Sequence, residues 1–159
     1  MSGSKLPTCN LRSRGFTLIE VLVVLAIIGI LASLAFTSQM SAKRQSRDTR
    51  RKGDLAQFRT AVESYAATHD GLYPIHSTAV RADAVSGNDL CDDLTPNFIS
   101  ACPSDPLATG SYFYYYLSNT DGADFVIYGR LEKGNYWAIC ANGKSGESSV
   151  IPGASCSSF

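Results

Sequence analysis

Glu20 raises the first chemical question, because it is the one charged side chain in an apolar run covering residues 16–36 of "RGFTLIEVLVVLAIIGILASLAF". A carboxylate near the centre of a membrane helix costs about 2.5–3.5 kcal/mol, and less near an interface. Glu20 lies one helical turn into the run, so in its plainer reading it is an interfacial residue reaching the headgroups. In its sharper reading it is a charge partner. Cutting the chain between Gly15 and Phe16 would create an ammonium at Phe16, one turn from Glu20, and the two charges would neutralise each other within one chain or between neighbours.

The cysteines offer covalent chemistry of a different kind. Cys9 lies before the apolar run, and no apolar stretch precedes it as lipid attachment would need. Cys91, Cys102, Cys140 and Cys156 lie after the run, and if that part is exported an even number reads as two disulfides with three connectivities open. Cys91–Cys102 with Cys140–Cys156 is preferred, since the first pair brackets a loop and the second ties a carboxy-terminal tail to a strand. Zinc is not expected, because no Cys-x-x-Cys spacing occurs.

Other constellations fall short of a site. His69 and His76 flank a turn and are expected to be exposed. "GKSGE" around Ser145 lacks the glycine a phosphate loop requires, position 138 being Ala. Asp89, Asp92 and Asp93, or Asn119, Asp121 and Asp124, offer oxygen ligands for calcium without an EF-hand frame, so solvated turn carboxylates are the default and no cofactor is expected. Tyr112, Tyr114, Tyr115, Tyr116, Tyr128, Tyr136 and Trp137 could stack on bases or sugars, but they suit a sheet equally well. An acidic surface disfavours nucleic acid.

The elements that position these residues follow from periodicity. At roughly 1.5 Å per residue, 16–36 is long enough to span the ~30 Å hydrocarbon layer, and too long for the apolar core of a cleaved secretory signal. Only Gly53 interrupts a helix running on to about His69. Its outer half carries an apolar stripe of Leu55, Phe58, Val62 and Tyr65, with Arg59 and Glu63 paired at i, i+4. "HDGLYP" ends it. Residues 75–110 read as irregular connection with a short helix near 88–94. "YFYYYLS", "DFVIYGRLE" and "NYWAICA" read as an antiparallel meander with a tight turn at Lys133 and Gly134. The tail is read as strand-poor.

"RGFTLIEVLVVLAIIGILAS" resembles the class III signal of type IV prepilins and type II secretion pseudopilins, and "SRDTRRKGDLAQFRTAVESYAATHDGLYP" continues the similarity more weakly. Many members carry a proline near the position of Thr37, and this chain has none between Pro7 and Pro74. The resemblance implies that a membrane prepilin peptidase cuts after Gly15 and methylates the amine of Phe16. It implies that Glu20 pairs with the Phe16 amine of an adjacent subunit during assembly. It also implies a single-pass precursor in the cytoplasmic membrane, then an extracellular filament of self-associated subunits built by a membrane platform and an ATPase.

Charge fits that reading unevenly. Removing residues 1–15 changes 14 basic and 14 acidic side chains into 11 and 14. Lys43, Arg44, Arg47, Arg50, Arg51 and Lys52 form a basic collar, while the chain from Leu55 onward is acidic. The collar is read either as a solvated face or as a partner for lipid phosphates before assembly and for neighbouring acidic heads afterwards. Counting charges around the span would reverse the orientation that the processing motif and the cysteines imply.

The resulting expectation is an α+β, lollipop-shaped pilin with a long amino-terminal helix packed on a three- or four-stranded antiparallel sheet. Its expected segments are a leader (1–15), a filament-core helix (16–36), an amphipathic continuation (37–70) and a head (71–159). Within the head, 71–110 is expected as loop, 111–141 as strands and 142–159 as a disulfide-tied loop. The expected function is structural, not enzymatic: a pilus subunit, with a secretion pseudopilin or a DNA- or surface-binding minor pilin as alternatives.

Overall fold

The computed structural model describes residues 15–84 and 87–154, and excludes the side chains of 34–38. The expected leader, apart from Gly15, and Cys156 lie outside them. The chain forms two compact units meeting after Ser41. Helix α1 spans Leu18–Thr68 and contributes 18–41 to the first unit and 42–68 to the second.

In the first unit the described apolar side chains, among them Leu18, Ile19, Leu25, Ile30 and Leu31, are exposed all round the helix. Among the described residues no helix is long and apolar enough to cross a membrane. The expected span includes 34–36, whose side chains are not described, and the apolar stretch before them falls short of the ~20 residues a span requires.

The second unit is an α+β fold, as expected. After α1 come β1 (Val80–Arg81), α2 (Leu90–Leu94), β2 (Tyr114–Ser118), β3 (Phe125–Arg130), β4 (Tyr136–Cys140) and β5 (Ser145–Ser148). The five strands form one antiparallel sheet in chain order. The expected meander is its centre, and β1 and β5 correct the three- or four-stranded expectation and the strand-poor tail. Both added strands are short, and β5 reads Ser-Gly-Glu-Ser, so strand propensity does not account for it. Backbone pairing to β4 holds it, with Trp137 opposite Glu147 and Ile139 opposite Ser145.

Period-two alternation decides the faces. Tyr114 and Tyr116 of β2, Phe125 and Ile127 of β3 and Ile139 of β4 point to the α1 side, where Leu55, Phe58, Ala61 and Val62 complete a core with Leu90, Leu94 and Ile99. Phe58 meets Tyr114 edge to face at 6.0 Å. On the opposite face Val126, Tyr128, Ala138 and Cys140 form a second cluster, and the Tyr128 ring stacks on Tyr115 at 5.5 Å. Burial and the neighbouring tyrosines push the Tyr128 hydroxyl up to about 12.

Two glycines are required by close approach. A Cβ on Gly129 would lie 3.0 Å from the Tyr114 ring and 3.6 Å from Leu55, so this strand position must be bare for the helix to seat. Gly122 has φ +66°, and a Cβ there would lie 3.0 Å from the Tyr73 carbonyl oxygen. That contact joins the β2–β3 turn to the segment leaving α1, where the Tyr73 N–H donates to the Gly122 carbonyl at 2.9 Å.

Candidate assembly segment and its support

The helix start around Gly15, Phe16 and Glu20 is organised by a residue that sequence reasoning passed over. Thr17 stands immediately before Leu18 and caps α1. Its hydroxyl accepts the Glu20 N–H at 3.3 Å, and the Glu20 carboxylate accepts the Thr17 N–H at 2.9 Å and the Thr17 hydroxyl at 2.8 Å. This is a reciprocal capping box, satisfying two backbone donors that a helix start leaves open. Its signal, Thr-x-x-Glu ahead of an apolar run, was present in the sequence.

Glu20 is thus fixed at the residue following Phe16, and it is neither loose nor pointed away from the junction. Gly15 and Phe16 are exposed, with Phe16 87% accessible, so the bond between them is open to an external protein. Beyond the cap, a helix apolar on every side needs lipid or other apolar helices around it. The geometry brings together an exposed Gly15–Phe16 junction, a carboxylate one turn away and a bare apolar surface.

In the second unit only part of the basic collar is a free patch: Lys43, Arg44 and Arg50 are exposed, whereas Arg47, Arg51 and Lys52 are engaged by the fold. Arg51 is fully buried. Its Nε and Nη2 donate to the two oxygens of Asp105 at 2.7 and 3.0 Å, and its Nη1 donates to Asp48 at 2.7 Å. The Tyr112 ring lies 4.8 Å from its guanidinium carbon. Burial opposes the Arg51 charge, but the bonds to Asp105 and Asp48 outweigh it and raise its pKa further. Arg47 grips Glu132 with Nε and Nη2, and this hydrogen-bonded pair holds the Glu132 carboxyl below its ordinary value of 4.5. Lys52 lies 4.0 Å over the Trp137 ring and 3.6 Å from Glu147. The acids that neutralise Arg47 and Arg51 come from residues up to 85 positions away, which no local pattern reveals.

Asp105 also accepts the Leu107 N–H at 2.8 Å, so one carboxylate ties the irregular connection to the helix. The Cys91–Cys102 disulfide closes that connection from α2. Cys140 ends β4, buried, and its expected partner Cys156 lies outside the described residues. His76 corrects another expectation. Only 10% of its side chain is exposed, with Nε2 2.7 Å from Asp93 and its ring edge-on to Tyr116. Among the expected oxygen ligands, Asp92 accepts the Gly87 and Asp89 N–H groups, and Asn119 accepts those of Ala123 and Asp124. Among the described residues no group of three or more His, Cys, Asp or Glu is placed to hold a metal.

Comparison with known proteins finds relatives for the amino-terminal part and for most of the chain. A family model described as the prokaryotic N-terminal methylation motif matches residues 10–36. The type IV major alpha-pilin of Moraxella bovis is 45% identical over 64 residues, covering 40% of this chain and 39% of that protein. The type IV major pilin protein PilA of Myxococcus xanthus is 41% identical over 61 residues, covering 38% and 28%. The match thus spans about two fifths or less of the length of these pilins. The type II secretion system core protein G of Pseudomonas aeruginosa is 31% identical over 137 residues, covering 84% of this chain and 87% of that protein. No solved structure matches the chain significantly.

Proposed function

The chain belongs to the type IV pilin and type II secretion pseudopilin family, and from that premise we infer that it is a structural subunit of a type IV pilus-like filament. The observation that carries this reading is the pairing of an open Gly15–Phe16 junction with a carboxylate held one turn away at the head of an uncovered apolar helix. A prepilin peptidase cuts after Gly15 and methylates the Phe16 amine. Glu20 then gives up its contacts with Thr17 and takes the Phe16 ammonium of a neighbouring subunit, which fixes the stagger between helices. In an apolar surround a charge pair is far less costly than either charge alone.

The precursor resides in the cytoplasmic membrane, and a membrane platform with its ATPase moves the subunit into an extracellular fibre. A second reading is favoured by one observation: a relative matched over most of both chains is a type II secretion core protein. In that case the same helix chemistry builds a short filament confined to the envelope.

Intact mass and amino-terminal sequencing of the protein from cells, alongside sheared surface material, test both readings. A chain beginning at N-methylated Phe16 and abundant in the sheared fibres is the expected result. The same terminus confined to the envelope selects the pseudopilin reading. A chain still beginning near Met1, in cells containing an active peptidase, removes the assembly role of Glu20.

A further inference from the structure

The second unit is electrically polarised along its helix. Its first end carries the β3–β4 turn, where Glu132 meets Arg44 and Arg47. Its other end carries the β2–β3 turn, where Gly122 meets Tyr73 beyond the end of α1. From position 44 to position 68 the helix rises roughly 36 Å. At the first end Arg47 and Arg51 have absorbed Glu132, Asp48 and Asp105, none of them much exposed. Apart from the Lys52–Glu147 pair, what faces outward there is basic: Lys43, Arg44, Arg50 and Lys133. Arg44 and Arg50 keep only loose 3.7 Å contacts to Glu132 and Asp54 and are 63% and 62% exposed.

The other end is apolar and rimmed by acid. Leu72 and Ile75 are exposed, and with Tyr65, His69, Asp70 and Tyr73 they line a shallow open pocket. The His69 ring lies flat on Tyr65 at 3.7 Å, which fixes the floor of that pocket. Asp70 lines it, and Asp121 and Asp124 lie on the turn whose Gly122 packs against Leu72, Tyr73 and Ile75; all three are exposed and have no ion pair among the described residues. The β4–β5 turn at the same sheet end adds one exposed cation, Lys144, so the balance stays negative.

We propose that this acid-rimmed apolar end is the docking surface for the basic end of a second copy of the chain. The aliphatic stems of Lys43, Arg44 and Arg50 cover Leu72 and Ile75 while their charged groups reach Asp70, Asp121 and Asp124. The two patches are different and lie at opposite ends, so the contact is head to tail and repeats from copy to copy instead of closing into a pair. The proposal rests on the filament reading and adds to it a second contact, outside the apolar helix.

The test is a charge exchange in the full-length chain in cells, scored by the amount of sedimentable filament. Asp121→Lys with Asp124→Lys, and separately Lys43→Glu with Arg50→Glu, each lower filament by about tenfold or more. Combining all four restores it to within about threefold of the unaltered chain. Processing at Phe16 and formation of Cys91–Cys102 confirm that each variant is intact. Zero-length carbodiimide cross-linking of unaltered filaments is expected to join Lys43 or Lys133 of one copy to Asp121 or Asp124 of the next. Filament yield unmoved by either reversal, no rescue in the combined variant, or cross-links joining like ends would overturn the docking. Absence of filament from the unaltered chain would overturn the filament reading itself, and the docking with it.

Discussion

Arg51 and Asp105 stand 54 residues apart in sequence and meet through two parallel hydrogen bonds with no exposed surface on either side chain. Removing one partner strands a charge in the interior, which costs about 3–5 kcal/mol. Arg51→Met is expected to destabilise the chain by that amount, and Arg51→Lys to fail as a replacement because an ammonium cannot reproduce the fork. Adding Asp105→Asn to Arg51→Met recovers a large part, since the charge is gone and the Leu107 N–H keeps an acceptor. Urea unfolding of the full chain in detergent measures the three values.

The Cys91–Cys102 bridge closes a loop of sequence separation 11, for which chain entropy gives about 3 kcal/mol. The double variant Cys91→Ser, Cys102→Ser is expected to lose about that much stability, read as a lower urea midpoint. Proteolysis between α2 and β2 should rise with it, since this bond helps Asp105 and the buried Ile99 to tie that connection down.

Gly129 admits no larger residue without a shift in Tyr114, whose hydroxyl is held by Asp54 at 2.7 Å. Gly129→Val is expected to cost about 1–3 kcal/mol through overpacking despite the better strand propensity of valine. Thermal unfolding checks this. A stability gain would mean that the helix and sheet yield easily at this point.

The pairing of Arg47 with Glu132 gives stability a definite pH dependence. The folded pKa of Glu132 lies below 4.5, so its contribution is complete above about 4.5 and declines as pH falls through the lowered folded value. Arg47 remains charged throughout. Unfolding midpoints between pH 7 and pH 3 should therefore fall less steeply in Glu132→Gln than in the unaltered chain.

Glu20→Gln separates the two tasks of that side chain. Glutamine can fill the capping box with Thr17 but carries no charge for an amine. Cleavage after Gly15 and accumulation in the membrane are expected to persist, with filament reduced about tenfold or more. Mass spectrometry of membrane and filament fractions reads both. Filament at the unaltered level would make Glu20 a cap and nothing more.

The helix and the centre of the sheet were legible because their apolar residues repeat with unambiguous periods. Leu55, Phe58 and Val62 fix one face of α1, and the alternation through Tyr114, Tyr116, Phe125 and Ile127 fixes the sheet face it meets. The Cys91–Cys102 pairing was legible as a preference, from the loop it brackets. Strand β5 was not, since its Ser-Gly-Glu-Ser sequence pairs only because β4 offers an edge. The basic collar was legible only in part, because charge counts along a sequence do not show which acids fold back onto Arg47 and Arg51. One clue was available: Arg51 lies four residues before Leu55, on the same stripe as the core.

The sheet runs in strict chain order, so its two margins are β1, two residues long, and β5, four residues of Ser, Gly and Glu. Bare strand margins recruit strands from other chains, and that hazard grows with local concentration. A subunit whose work is to stand shoulder to shoulder with its own kind needs margins that decline such offers. Brevity and polarity at β1 and β5 do this, and leave sociability to the surfaces where it builds something.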